Sequence, residues 1–324
     1  MSTRRRCTSR PEAGDSVSTS AQTPLLPRDE ENPLTDHASE SRWQAFWNRG
    51  GWWKAAGLAV VYLAVYLGIG WLVDTVGRDA IDFENVFGDA LSVFLAVGLP
   101  VIIGSVILLV FSWSLGWLPK PLFTRQPVRG SWWMWIAPAI VLIPVLLRLF
   151  GTDYSRYSGG VIAVTFLVGV FIGLSEELLT RGLAVTLLRR HGYNEWVVAV
   201  LSSLIFAVLH SSNLLSGQPI VTVLSTVGYA FVFGLMMYLT LRVTGNLIWP
   251  ILLHAITDPT TFLATGGIDT AAAGAESPLL AFVTPATLLM AVFAIIALIF
   301  IRGRANAEVP GPAAAPALDG PPRV

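Results

Sequence analysis

Cysteine is almost absent from this 324-residue chain, and the single Cys7 lies in a polar N-terminal stretch. That excludes an internal disulfide, a thiolate metal centre and a cysteine nucleophile inside a buried site. Charge is scarce too. Lys, Arg, Asp and Glu make up 13% of the residues, against the roughly 25% of soluble domains. The 21 basic and 21 acidic residues cancel, which argues against the basic stripe of a nucleic-acid binder. None of the four histidines stands in a His-Glu-x-x-His zinc helix. There is no Walker loop, no dinucleotide glycine fingerprint and no evident 20- to 50-residue repeat.

Apolar sequence fills the space that charge leaves. Hydrophobic residues reach 54% and the mean hydropathy is +0.63. Runs near the ~20 residues needed to cross a hydrocarbon core occur at about 55–75, 90–117, 132–150, 160–187, 196–215, 220–242, 246–265 and 279–301. The expected fold is therefore all-α: a polytopic membrane protein of about eight transmembrane helices with a catalytic cavity inside the bundle. Arg42, Arg49 and Lys54, then Lys120, Arg125 and Arg129, then Arg189 and Arg190, Arg242, and Arg302 and Arg304 all fall on one side of the membrane. The alternate connections hold only Arg78 and Arg156, with Arg148 near the end of the third span. By the positive-inside rule both termini are expected to be cytoplasmic. Trp43, Trp47, Trp52, Trp53, Trp117, Trp132, Trp133, Trp196 and Trp249 stand near span ends, where interfacial anchoring is expected.

Residues 1–41 read as a disordered cytoplasmic tail rich in Ser, Thr, Pro, Arg and Glu, because such a composition cannot offset the entropy of ordering. The cluster Arg4, Arg5, Arg6 and Arg10 is not followed by a 7- to 15-residue apolar stretch before the first span, so no cleaved signal peptide is expected. Residues 305–324 read as a second disordered tail rich in Pro and Ala. Between them lies the membrane domain, 42–304. The composition and the lack of an organelle signal favour a bacterial cell membrane.

Three pieces place ionisable groups inside spans: Glu176-Glu177-x-x-x-Arg181, Phe206-x-x-x-His210 and His254-x-x-x-Asp258. A charged group at the bilayer centre costs roughly 3 kcal/mol on insertion scales, so each is a functional candidate by default. Residues four apart share a helix face. Glu177 is thus placed to pair with Arg181, which leaves Glu176 as the unneutralised carboxylate, able to act as a general base toward water. Phe206, one turn before His210, can wall the pocket against bulk solvent. His254 and Asp258 share a face, and Pro259 is expected to loosen the helix at Asp258. Gly169 and Gly173, spaced Gly-x-x-x-Gly, would allow close helix approach. For Glu177 and Arg181, an ion pair that fixes packing is an equal alternative. His37 and His191 read as solvated.

Taken in order, EELLTR, FAVLH and TGNLIWPILLHAITD resemble the CPBP intramembrane proteases, also called the Abi family, which are related to the type II CAAX prenyl endopeptidases. The resemblance covers about 160–265. It implies glutamate-dependent peptide hydrolysis, with Glu176 as the catalytic acid/base and His210 helping to hold the attacking water. It further implies His254 and Asp258 as stabilisers of the oxyanion, and Glu177 and Arg181 as electrostatic support. Many relatives carry Asn where this chain has Asp258. An ionised Asp would repel an oxyanion, whereas a protonated one would donate to it. Members are often labelled metalloproteases, so Glu176, His210, His254 and Asp258 are also a candidate Zn2+ set, beside a metal-free water site. The implied partners are a peptide or lipidated protein substrate and the lipid bilayer, with no nucleic acid. Oligomeric state is not legible in the sequence. Other classes use the same residues. A proton-coupled transporter could run a relay through them, and an immunity or interaction protein could keep the fold without proteolysis. Gly173-Leu174-Ser175 begins a Gly-x-Ser pattern, but Glu176 stands where a rhomboid-type serine site needs Gly.

Overall fold

The computed structural model describes residues 40–268 and 277–305. The tails expected over 1–41 and 305–324 lie almost wholly outside these residues, together with Cys7 and His37. Among the described residues the regular structure is helical, with no strand and one isolated bridge between Asn194 and Arg304.

A short helix α1 (Arg42–Asn48) starts at a capping box in which the Ser41 hydroxyl accepts from the Gln44 backbone and the Gln44 side chain accepts from that of Ser41. It leads into α2 (Trp52–Val76), α3 (Ala90–Ser114), α4 (Trp132–Gly151), α5 (Gly159–Arg190), α6 (Glu195–Leu214) and α7 (Ile220–Thr244). Then come α8 (Ile248–Thr265) and α9 (Leu280–Phe300). All but α1 and α8 are long and apolar enough to cross a membrane, seven helices in all among the described residues. The chain is thus a multi-pass integral membrane protein.

The span expected at 246–265 is present as α8, but it is less apolar than the rest because it carries His254, Asp258 and four threonines. Its neighbours make that tolerable. His254, Thr257 and Thr260 are buried in protein, and only residues such as Leu252 and Ile256 face outward. Polar groups at membrane depth survive where protein rather than lipid surrounds them.

Helix limits follow local chemistry. Ser158 caps α5 by accepting from the Val161 backbone, and Asn194 caps α6 by accepting from Val197. Gly245 ends α7 at φ 71° and Gly266 ends α8 at φ 78°, left-handed positions that suit glycine. Pro259 does not loosen α8, contrary to the expectation from its sequence position. The helix runs through to Thr265, and the proline ring is absorbed by α5 at Gly169. A Cβ there would lie 2.2 Å from Pro259 Cγ and 2.7 Å from the Ala255 carbonyl, the acceptor that proline leaves without an N–H. One turn on, a Cβ at Gly173 would lie 2.6 Å from the Ile251 carbonyl. The Gly-x-x-x-Gly pair is therefore the crossing point of α5 and α8, the most extensive helix pair in the bundle.

The basic residues gather at one end. Arg189 binds Glu195 through two parallel bonds of 2.8 and 2.7 Å. Arg242 donates to the same carboxylate at 3.1 Å and to the Tyr238 hydroxyl at 3.1 Å. Arg242 also donates to the carbonyls of Arg129 and Arg302. Both arginines and Glu195 are buried, so Arg189 and Arg242 are ties between helix ends rather than loop charges free in water. Nearby, Arg190 donates to Asn48 and lies over the Trp117 ring. Trp117 is buried at 2% exposure and packs inside, unlike Trp52, Trp132 and Trp249, which are exposed as interfacial anchors would be.

Candidate active site

α5 carries Glu176 and Glu177 near its middle, where the winding changes. Leu178–Ala184 forms a π-helical stretch, at whose start the Thr180 hydroxyl donates to the Glu176 carbonyl at 2.6 Å. Such wide turns recur at functional sites. This one holds Arg181 beneath the glutamates.

The two neighbouring carboxylates have different surroundings. Glu177 has no solvent exposure. It accepts from Arg181 Nη1 at 3.2 Å and meets His254 Nδ1 at 2.8 Å. Arg181 is itself buried, reaches Thr180 Oγ1 and stacks over the Phe206 ring at 4.6 Å. Glu176 is 30% exposed. Its Oε2 lies 3.5 Å from His254 Nε2, the nitrogen that also lies 3.5 Å from Asp258 Oδ2. Asp258 is 24% exposed. His254 is therefore a hub, with Glu177 on one nitrogen and two half-open carboxylates on the other.

His210 stands where α6 passes from α-helix to a 3-10 turn. The Phe206 carbonyl lies 3.0 Å from its Nδ1. A carbonyl can only accept, so Nδ1 carries the hydrogen and Nε2 is left as an acceptor. His210 is close enough to Glu176 for the two to interact electrostatically. Phe206, 2% exposed, forms the wall, meeting His210 edge-on at 4.8 Å and His254 at 5.8 Å. All seven sequence-selected residues thus meet in one place.

Sequence reasoning missed three contributors. Phe233 of α7 packs edge-on against the His254 ring at 4.8 Å and closes a side that the motifs did not cover. Tyr62 and Tyr66 of α2 lie close enough to Glu176 to feel its charge. An aromatic in an apolar span carries no local signal of its own, so only the fold could reveal them.

The same donors test the metal reading. Among the described residues no three His, Cys, Asp or Glu side chains are arranged to hold a metal ion. His254 directs one nitrogen to Glu177 and shares the other between two carboxylates. Glu176, His210, His254 and Asp258 are not arranged as a metal-holding set.

Residues 158–260 match the family model described as Rce1-like, type II CAAX prenyl endopeptidase Rce1-like. The match takes in less than half of the chain. It contains every one of the seven site residues. No curated protein and no solved structure matches the chain.

Proposed function

We propose, from the membership of residues 158–260 in the CAAX-type intramembrane endopeptidase family, that this protein hydrolyses a peptide bond of a membrane-associated protein and that Glu176 activates the water. The observation that carries the residue assignment is the division between the two glutamates. Glu177 is sealed off, with its Oε1 held by Arg181 and His254, whereas Glu176 is half open and close to both histidines.

The chemistry needs no group beyond these side chains. A water would donate one hydrogen to His210 Nε2 and the other to the Glu176 carboxylate. Glu176 takes that proton as the oxygen attacks the peptide carbonyl, and then delivers it to the leaving amine, so the proton count closes. The developing oxyanion lies toward His254 Nε2–H, a donor aimed where charge forms, with Asp258 beside it, its Oδ2 3.5 Å from the same nitrogen. Glu177 accepts from His254 Nδ1–H and so fixes the ring; Arg181 holds Glu177; Phe206 and Phe233 exclude bulk water. Loss of solvent strengthens each of these interactions. The gathering of Lys54, Arg129, Arg189, Arg190, Arg242 and Arg302 at one end supports a cytoplasmic placement of that end and of both termini, in a bacterial cell membrane.

The test is cleavage of a quenched-fluorescence peptide library by detergent-purified protein, beside Glu176→Ala and His210→Ala. The account expects cleavage by the wild type and loss of at least about a hundred-fold in both variants. Equal cleavage by all three proteins would defeat it. An inactive wild type that instead carries a solute flux sensitive to Glu176 would move the assignment to a transporter.

A further inference from the structure

The three motifs lie on α5, α6 and α8, and α7 supplies none of their residues. Yet two consecutive residues of α7 touch both ends of the chain that runs from Arg181 through Glu177 to His254. Phe233 packs edge-on against the His254 ring at 4.8 Å, and its ring centroid lies 6.3 Å from that of Phe206. Gly234 meets Arg181. An added Cβ there would lie 2.9 Å from Arg181 Nη2, 3.0 Å from Ser203 Cβ and 3.1 Å from Ser203 Cα. Bare α7 backbone therefore rests against the guanidinium, with Ser203 of α6 as its second neighbour.

The end of an arginine ordinarily swings away from a new methyl group at little cost. This one is confined. Nη1 donates to Glu177 Oε1 at 3.2 Å and to Thr180 Oγ1, the Phe206 ring centroid lies 4.6 Å from Cζ, and the whole side chain is buried. Among the described residues Nε and Nη2 meet no hydrogen-bond partner, so contact with α7 rather than a bond fixes where Nη2 lies. The guanidinium is rigid and planar. Pushing Nη2 off α7 therefore moves Nη1 as well, and Nη1 holds the same Oε1 that meets His254 Nδ1 at 2.8 Å.

We propose that Gly234 is a positioning residue of the site, acting through Arg181. Having no side chain, it seats the guanidinium where Nη1 holds Glu177 Oε1, and that oxygen sets the His254 ring, whose Nε2 faces Glu176 and Asp258 at 3.5 Å each. Glycine inside a helix is less favourable than alanine, and Gly234 lies well within α7. The seat for Arg181 is what the missing methyl provides. The inference rests on the proposal that Glu176 performs hydrolysis beside His254.

The experiment is a double-mutant cycle on peptide cleavage, with wild type, Gly234→Ala, Arg181→Lys and the pair compared in kcat, KM and melting temperature, and Glu176→Gln as reference. Arg181→Lys keeps a cation beside Glu177 and lacks Nη2. Gly234→Ala is expected to lower kcat about ten-fold, the scale of one lost hydrogen bond, with KM within about two-fold. In the Arg181→Lys background the same change should cost nothing more, as for two residues that share one contact. Gly234→Ala is also made with Ser203→Gly, which removes the α6 Cβ 3.0 Å from the new methyl and leaves its contact with Nη2. That pair should fold and remain about ten-fold down in kcat. Wild-type kcat in folded Gly234→Ala, recovered kcat in Gly234→Ala/Ser203→Gly, a full further loss in the Arg181→Lys background, or loss of fold in both alanine proteins overturns the inference while leaving Glu176 in place. Full activity in Glu176→Gln overturns the hydrolytic assignment of Glu176 and this inference with it.

Discussion

The crossing of α5 over α8 sets the distance between Glu177 and His254, and a single methyl group tests that dependence. At Gly173 an added Cβ would lie 2.6 Å from the Ile251 carbonyl and 2.8 Å from the Ala255 nitrogen. Both are backbone atoms and cannot rotate away. Reaching an ordinary contact of 3.4 Å forces the helices apart by somewhat under ~1 Å, the kind of overpacking strain that costs typically about 1–3 kcal/mol. Gly173 lies one turn before Glu177, and Ala255 adjoins His254. The 2.8 Å contact between Glu177 and His254 would then stretch past the usual hydrogen-bond range of about 2.7–3.2 Å. A misplacement near 1 Å costs on the order of a hundred-fold in rate. Stability should suffer far less, because alanine is favoured over glycine within a helix by about 1 kcal/mol. Gly173→Ala is thus expected to lose roughly ten- to a hundred-fold in kcat while its melting temperature shifts by only a few degrees. Gly228→Ala on α7, where an added Cβ meets nothing within 4 Å, is the control and should keep wild-type activity. The assay is peptide cleavage normalised to folded protein, with melting followed in the same detergent. Wild-type kcat in folded Gly173→Ala would refute the argument that this crossing sets the site geometry.

Three further outcomes are expected. Glu195→Gln leaves Arg189 and Arg242 buried without their shared counter-charge, so stability should fall by about 3–5 kcal/mol in thermal or denaturant unfolding, with kcat per folded molecule unchanged. Asp258→Asn places an amide donor toward the oxyanion and removes a carboxylate 3.5 Å from His254; it should retain at least about a tenth of wild-type kcat, whereas Asp258→Ala, which leaves no polar group there, should lose about a hundred-fold, the scale seen when an oxyanion-site group is removed. Because the donor set is not arranged to hold a metal, dialysis against a strong chelator should leave cleavage unchanged, and activity lost to chelator and restored by Zn2+ alone would reverse that conclusion.

The membrane helices were legible because the bilayer imposes a length and an apolarity that single segments display on their own. α8 was found in the same way even though it is less apolar than its neighbours, since its 246–265 run lies between the breaks around Gly245 and Gly266. The pairing of Glu177 with Arg181 follows from helical spacing and is found at 3.2 Å. What escaped is what depends on partners distant in sequence. Nothing around Gly169 announces Pro259, so the proline was expected to loosen a helix that the glycine in fact accommodates. Arg189 and Arg242 read as loop cations, because their burial requires Glu195, which a third helix supplies. The π-helical stretch at Leu178–Ala184 leaves no composition mark. Tyr62 and Tyr66 look like any aromatics in a lipid-facing span until α2 is laid beside Glu176.

The most direct measurement compares Glu176→Gln with wild type in proteoliposomes containing a membrane-embedded peptide substrate, with melting temperature followed alongside. Glutamine keeps the shape of the side chain and removes its capacity to take a proton from water. The account predicts a folded Glu176→Gln protein with cleavage reduced by at least about a hundred-fold. Cleavage at the wild-type rate by that variant would contradict it.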